Sequence, residues 1–357
     1  MAAELCALLP PDRSIHLQAS RSDAGLLDWW NASPHKERIE IVEQPMPCGG
    51  SATCVAFVVN SAHEHRDSVE SVLDAGYHAV CEKPLTFSRH DSLQLLARAA
   101  GLGLKLFCTN TYFFADYLHV LRREWLSGRA YSELELTWAD AAQEVRHGEP
   151  KSYDSSVPVI FDVLPHVACV VLATHGPMSF DRSSIAVAHG GSAVTAQFDG
   201  DDLTVRTRMS RSSQRRTRLL RFSGPGGEVT LDFADEPGVV RLGQQAGVCV
   251  DPAWETKRRP IAEMLHSVQA CFEGGEPDRR LGAEAALLGQ ELIDGVAESY
   301  VQQQLDFLEA STSADGEDFA YAAKETDAIR QRALPQLAQA SPLRRLAMFT
   351  QPSRTFT

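Results

Sequence analysis

The sequence predicts an α/β protein in two parts. An open, doubly wound parallel sheet, incomplete at its N-terminus, precedes an α+β domain with a large, mostly antiparallel open sheet. Three observations carry this. Short apolar runs alternate with amphipathic helical stretches between residues 52 and 114. Segments of period-two alternation crowd residues 132–233, and helical spacing returns at residue 260.

The run ATCVAFVVNS (52–61) is continuously apolar and β-branched, the pattern of a strand buried on both faces. HEHRDSVESVLDAG (63–76) sets Val69, Val72 and Leu73 on one helical face and stops at Gly76. YHAVCEKPL (77–85) predicts a second strand ended by Pro84, and 88–103 a second helix with Leu93, Leu96 and Ala97 together. KLFCTNTYFF (105–114) completes a βαβαβ series. Upstream, SIHLQASR (14–21) suits a strand and AELCALL (3–9) the tail of a helix. One more strand and its glycine turn would be expected to complete the sheet, and the two residues before position 3 are too few to build them. Either the start of the chain has been placed too late, or the protein has dispensed with ordinary dinucleotide binding.

Past residue 130, alternation over 132–140, 183–200, 203–210, 218–224 and 227–233 predicts antiparallel strands, with GPGG (224–227) as a turn. Helices follow over 260–275 and 281–308. The expected division is a dinucleotide-binding domain at 1–128, a substrate and oligomerisation domain at 129–308, and an extension with one short helix at 309–357.

Composition narrows the function. The 357 residues are 44% hydrophobic and 23% charged, in the globular range. A net charge of -13 argues against a nucleic-acid partner, which needs a basic footprint. No apolar run nears the roughly 20 residues of a membrane span. The N-terminus lacks a cationic region before an apolar stretch, so a cytoplasmic protein is expected. The eight cysteines form no C-x-x-C pair and no ligand cluster with histidine. They are expected to be reduced core residues, and no metal site is expected.

Two motifs carry chemistry. In AVCEKPL, Lys83 stands at the carboxyl end of a predicted parallel strand, where ligands bind in such sheets. A fixed ammonium there stabilises charge developing on a hydroxyl or carbonyl oxygen. In VIFDVLPHVACVV (159–171), Asp162 and His166 are four apart and share a helical face. A carboxylate beside an imidazole fixes its tautomer and frees the other nitrogen for proton transfer. Pro165 suits only a first turn, so the helix is expected to start near residue 162. Alone, each motif has a plainer reading: an exposed lysine ending a strand, or a helix-start aspartate beside a core histidine.

Together, in this order and spacing, they resemble the Gfo/Idh/MocA oxidoreductases, the family of glucose–fructose oxidoreductase and inositol dehydrogenase. The likeness runs from about residue 14 to 300. It takes in VVNSAHEH with His65, CEKPL, Asn110 of FCTNTYF, the DVLPH box and the GPGGEVTLDF hairpin. The resemblance implies a nicotinamide cofactor on a Rossmann-like domain and a sugar, cyclitol or related small molecule on the C-terminal sheet. It implies His166 as general acid/base, Asp162 orienting it, and Lys83 polarising the substrate oxygen. Cofactor contacts are expected from Ser20, Arg21, Asn60, Ser61, His65, Glu82, Lys83 and Asn110. It further implies a homodimer or homotetramer through the C-terminal sheet.

The sequence departs from that pattern at three points. The G-x-G-x-x-G turn is absent, Asn60-Ser61 stands where the family has Thr-Pro, and SSVPVIF replaces the glycines before the Asp-x-x-x-His box. Arg21 favours NADP over NAD by meeting a 2′-phosphate, unless it is an ordinary surface arginine. Without the glycine turn, the cofactor could also be none. The scaffold would then serve cofactor-independent dehydration, isomerisation or cyclisation, or act as a non-catalytic binding subunit. His63, the aromatics Tyr112, Phe113, Phe114 and Tyr117, and the basic run Arg211, Arg215, Arg216 and Arg218 are expected to be structural, the arginines on a solvated strand or turn.

Overall fold

The computed structural model describes residues 54–142 and 157–310 throughout, with Leu5, Leu8, Leu9, 15–18, Asp28, 30–42, 145–146, 149–150 and 317–328. Strands β1 (Ile15–Gln18) and β2 (Ile39–Val42) form a parallel pair. The apolar runs that follow form a second parallel ladder of β3 (Val55–Val58), β4 (His78–Cys81) and β5 (Leu106–Cys108). Among the described residues these two ladders do not pair with each other.

Between the strands, α1 (His65–Asp74) buries Val69, Val72 and Leu73, and the chain leaves it through Gly76 at φ 85°. Glycine holds that left-handed turn without the Cβ clash other residues would meet. The second helix, α2 (Arg89–Gly101), is capped by Ser88, whose side chain accepts the Asp91 N–H. The third strand is shorter than expected. It ends at Cys108, and Thr111–Phe114 wind into a 3-10 turn that buries Phe113 and Phe114 together. Turning puts two adjacent aromatics into the core, whereas a strand would point them to opposite faces. A short helix, α3 (Asp116–Val120), then runs into a π-helical turn over Leu121–Leu126, neither of which the sequence pattern announced.

The second domain is the large sheet expected. Its strands are β6 (Glu133–Ala141), then, after a small β7 (Val145–Arg146) and β8 (Glu149–Pro150) hairpin, β9 (Arg182–Ala188), β10 (Ala193–Asp199), β11 (Thr204–Ser213), β12 (Thr217–Gly224), β13 (Gly227–Asp232), β14 (Val239–Leu242) and β15 (Val248–Cys249). Their order is β15-β14-β13-β12-β6-β11-β10-β9, antiparallel except at the parallel β6–β11 pair. Along β6, Leu134, Leu136 and Trp138 face the core. On the other face Glu133 and Glu135 meet Arg206 and Arg208 at 3.1 and 2.8 Å.

Helix α4 (Val159–Thr174) lies between this sheet and a long helix, with α5 (Pro260–Phe272) packed beside Phe114 in a separate apolar cluster. The long helix is α6 (Glu284–Ala310). Helix α4 begins at Val159, three residues before the expected start, and carries Pro165 in its interior. The packing tolerates this because α6 presents Gly289 to the ring, where a Cβ would stand 3.0 Å from the Pro165 Cα. Gln290, buried on the next position of α6, donates to the Thr86 carbonyl (3.1 Å) and the Ser92 hydroxyl (2.5 Å). That bond fixes the loop after Pro84 against the C-terminal domain. The extension contributes α7 (Glu317–Ala328), which folds back with Ala322, Ala323 and Glu325 buried.

The cysteines need a correction. Cys81, Cys108, Cys169 and Cys271 are free and buried as expected, but Cys249 is free and exposed. Cys54, half-buried at the entrance to β3, is disulfide-bonded, a bond that needs two cysteines close in space and that no spacing in sequence announces. No described helix is long and apolar enough to cross a membrane. Among the described residues no group of three or more His, Cys, Asp or Glu could hold a metal ion.

Candidate active site

The two domains meet where β4 ends. Lys83 follows that strand, and its backbone N–H donates to the Thr109 hydroxyl (3.2 Å), which donates in turn to the Glu82 carboxylate (2.7 Å). This clasp between the ends of β4 and β5 holds the loop while the side chain reaches across to α4. There the Lys83 ammonium donates to the Asp162 carboxylate at 2.6 Å and to the Asp162 carbonyl at 2.9 Å. The Lys83 and Asp162 side chains are 15% and 30% exposed, so the pair sits at a rim rather than in bulk solvent.

Helix α4 explains why these residues are available. Every residue from Val159 to Thr174 is buried except Asp162 and His166. A helix so apolar on all sides belongs in a core, and two polar residues one turn apart mark the one stripe that opens outward. His166 stacks on Trp138 (centroids 4.8 Å apart, 14° between planes) and meets Tyr112 edge-on at 5.1 Å. Trp138 is itself covered by the Arg218 guanidinium at 3.8 Å. Aromatic packing braces the imidazole, which also lies within electrostatic reach of Asp162.

The second Asp162 oxygen is taken by Arg211, at 3.3 Å. Burial alone would push this carboxyl up; the Lys83 ammonium and then the Arg211 guanidinium outweigh that and hold it well below the usual carboxylate range. Asp162 is thus an anion locked between two cations.

Arg211 and Arg218 correct the expectation of a solvated basic run. They are 5% and 2% exposed, and Arg218 pairs with the buried Asp140. A signal did exist: Val205, Thr207, Met209 and Arg211 alternate on the inward face of β11, as Arg218, Leu220 and Phe222 do on β12. Arg215, between the strands, is exposed as expected.

The expected cofactor residues divide. Asn60 lies past the end of β3, with its amide on Ser68 (2.9 Å) and Glu64 (3.2 Å) and its Oδ1 buried without a partner; Ser61 beside it is exposed. Glu82 and Lys83 are half-buried at the end of β4. His65 is 1% exposed, its ring nitrogens on the carbonyls of Pro84 (2.7 Å) and Asn60 (3.2 Å), and burial lowers its pKa despite those bonds. It ties the two strand-end loops together. Asn110 is also buried, its amide turned to the carbonyls of Arg280 and Gly282. Ser20 and Arg21 lie outside the described residues. His63 packs on Phe87, and Phe113, Phe114 and Tyr117 are core, while Tyr112 joins the site through His166. A cavity of about 630 Å³ lies at the other end of α4, between Arg122, Arg129, Tyr131, His175 and Asp202, remote from Lys83.

Residues 28–110 match the model of the GFO_IDH_MocA family, described as an oxidoreductase family with an NAD-binding Rossmann fold. Over that segment the chain is similar to the Rossmann domain of the Gfo/Idh/MocA oxidoreductases. No curated protein matches it by sequence. Solved structures extend the likeness of fold beyond that segment, into the C-terminal sheet. KijD10, a 3-ketoreductase of Actinomadura kijaniata in complex with NADP and TDP-benzene, aligns at TM-score 0.63 and 16% identity, over 83% of this chain and 92% of its own. The aldose-aldose oxidoreductase of Caulobacter crescentus gives 0.60 and 17%, over 80% and 88%. The UDP-N-acetylglucosamine 3-dehydrogenase GnnA of Acidithiobacillus ferrooxidans gives 0.53 and 18%, over 68% and 76%.

Proposed function

We propose that this chain is an NAD(P)-dependent oxidoreductase that interconverts an alcohol and a carbonyl on a sugar, cyclitol or related polar small molecule. The observation that carries the reading is the meeting of Lys83 with Asp162, with His166 one turn further along the only open stripe of α4. Lys83 presents a fixed cation that lowers the energy of an oxygen gaining negative charge. His166, braced by Trp138 and Tyr112, takes the hydroxyl proton in oxidation and returns it in reduction. Asp162 holds the lysine in place and keeps the two cations, Lys83 and Arg211, apart.

The described residues fit the nicotinamide end of a dinucleotide. The unpartnered Asn60 Oδ1 and the exposed Ser61 stand at one strand end, and Glu82 and Lys83 at the next. When bound, the nicotinamide supplies the hydride acceptor or donor. Asn60, Ser61, Glu82 and Lys83 would hold it, with His65 and Asn110 fixing the loops that carry them. Ser20 and Arg21 would meet the adenosine ribose, and Arg21 favours NADP.

The same reading divides the chain at 1–128, 129–308 and 309–357, and expects a cytoplasmic homodimer or homotetramer paired through the C-terminal sheet; light scattering reads the mass directly. Thiol labelling in fresh cell extract tests whether Cys54, disulfide-bonded in the structure, is oxidised there.

The test of cofactor use is a titration of the full chain with NADPH and NADH, followed by nicotinamide fluorescence. Saturable binding near micromolar, about -8 kcal/mol, supports the reading, and the tighter of the two tests Arg21. No binding would remove hydride transfer and leave Lys83 and His166 to cofactor-free acid/base chemistry.

A further inference from the structure

We propose that Glu325, on the helix α7 that follows the C-terminal domain, is a positioning residue for the Lys83–Asp162 pair and acts through Arg211. The inference rests on the oxidoreductase reading only for its effect on turnover.

Glu325 is 0% exposed, although it lies in a polar extension about 160 residues from Asp162 in sequence. Its carboxylate does three things. It accepts the Val159 N–H at 3.2 Å, the first residue of α4, where the N-cap Pro158 supplies no side-chain cap. It accepts the Tyr300 hydroxyl of α6. It also pairs with Arg211 Nη1 at 3.4 Å. The same guanidinium donates to the Val157 carbonyl at 2.7 Å and meets Asp162 at 3.3 Å. Lys83, Asp162, Arg211 and Glu325 therefore form a row of alternating charge that runs from the rim of the site into the core.

Docking α7 does not require a charge there, because Ala322 and Ala323 already bury against the core. A buried carboxylate costs stability unless it is matched, and apolar replacements are often as stable. The backbone also makes room for it: Gly191 has φ 101°, and a Cβ at that position would stand 2.6 Å from Glu325 Oε2. What the charge adds is control of Arg211. With Glu325 ionised, the guanidinium is shared between two carboxylates, and Asp162 keeps a full claim on Lys83. Without it, Arg211 bears more strongly on Asp162, the row loses one negative charge, and Lys83 gives up its proton more readily.

The experiment compares Glu325→Gln with wild type in the full chain. Acylation of Lys83 by an N-hydroxysuccinimide ester at neutral pH is read by peptide mass spectrometry, without cofactor or substrate. Glu82, His65, Cys108 and Cys169 also lie within electrostatic reach of Lys83 and are the same in both proteins. The rate is expected to rise at least about threefold, half a pK unit. Tyr300→Phe loosens the same helix while keeping the charge, and is expected to leave the rate unchanged. An unchanged rate in Glu325→Gln, or an equal rise in both variants, overturns the proposal. If Glu325→Gln does not fold, Glu325→Asp decides: it draws the charge one methylene back, so a rise supports the proposal and no rise overturns it. Turnover gives a second reading. Loss of kcat with KM kept, and no further loss when Arg211→Lys is already present, is the pattern of action through Arg211. Additive losses would contradict it. Labelling that behaves as expected in a protein without hydride transfer would separate this proposal from the oxidoreductase reading.

Discussion

Replacing Asp162 by asparagine keeps the shape of the side chain and removes the charge that Lys83 and Arg211 both face, at 2.6 and 3.3 Å. Two cations would then confront each other across a half-buried site. Breaking a buried ion pair costs about 3–5 kcal/mol. Asp162 keeps 30% of its surface in solvent, and screening brings the expected loss to about 2 kcal/mol. Urea unfolding of the two proteins between about pH 5 and 8 should show that difference as a lower midpoint with an unchanged slope. Its pH dependence has a definite sign. The carboxyl is held below its ordinary 3.8, so its contribution is complete above that value and is lost as pH falls through the lower value of the folded state. The gap between the proteins should therefore narrow only below about pH 4. His65 and His119, whose pKa values burial lowers, titrate in both proteins and cancel in the difference. A variant as stable as wild type near neutrality would refute the reasoning, as would a gap that persists to the acid limit of folding.

Lys83→Met should leave the circular dichroism spectrum intact and lower kcat about a hundred- to a thousandfold, the usual worth of one preorganised electrostatic contact; an unchanged kcat removes Lys83 from the chemistry. His166→Ala should cost about a hundredfold or more and flatten one limb of the pH–rate profile, and a profile of unchanged shape would exclude it as the acid/base. Arg218→Met takes one cation from the buried Asp140 and uncovers Trp138, so a loss of about 3 kcal/mol is expected in urea unfolding; a loss under about 1 kcal/mol would mean that Asp140 is held well enough without Arg218. Gly289→Val drives side-chain atoms into the Pro165 backbone and should lower stability by about 1–3 kcal/mol, whereas a neutral result would mean that α4 and α6 can slide apart.

The elements most legible in sequence were those whose own periodicity decides them. The apolar run at 55–58, the helix stop at Gly76 and the inward triad of Leu134, Leu136 and Trp138 all follow from local pattern. The Lys83–Asp162 meeting was readable only because two weak motifs reinforced each other across 79 residues. What escaped was decided by tertiary contact. Arg211 looks like part of a solvated run until its register on β11 turns it inward. Pro165 should have marked a helix start, but Gly289 on α6, more than a hundred residues away, lets the helix run through it. Glu325 lies in a tail whose polarity suggests solvent, and nothing local points to its buried partners Val159, Tyr300 and Arg211.

The most direct test of the central claim is hydride transfer itself. Full-length protein would be incubated with NADP⁺ or NAD⁺ and a panel of pyranoses, nucleotide-linked sugars and cyclitols, following nicotinamide absorbance, with Lys83→Met run in parallel. Reduction of the nicotinamide by at least one polyol, abolished in the variant, is the expected result. No transfer with any polyol, in a protein that binds the cofactor, would contradict the account; so would transfer that survives the loss of Lys83.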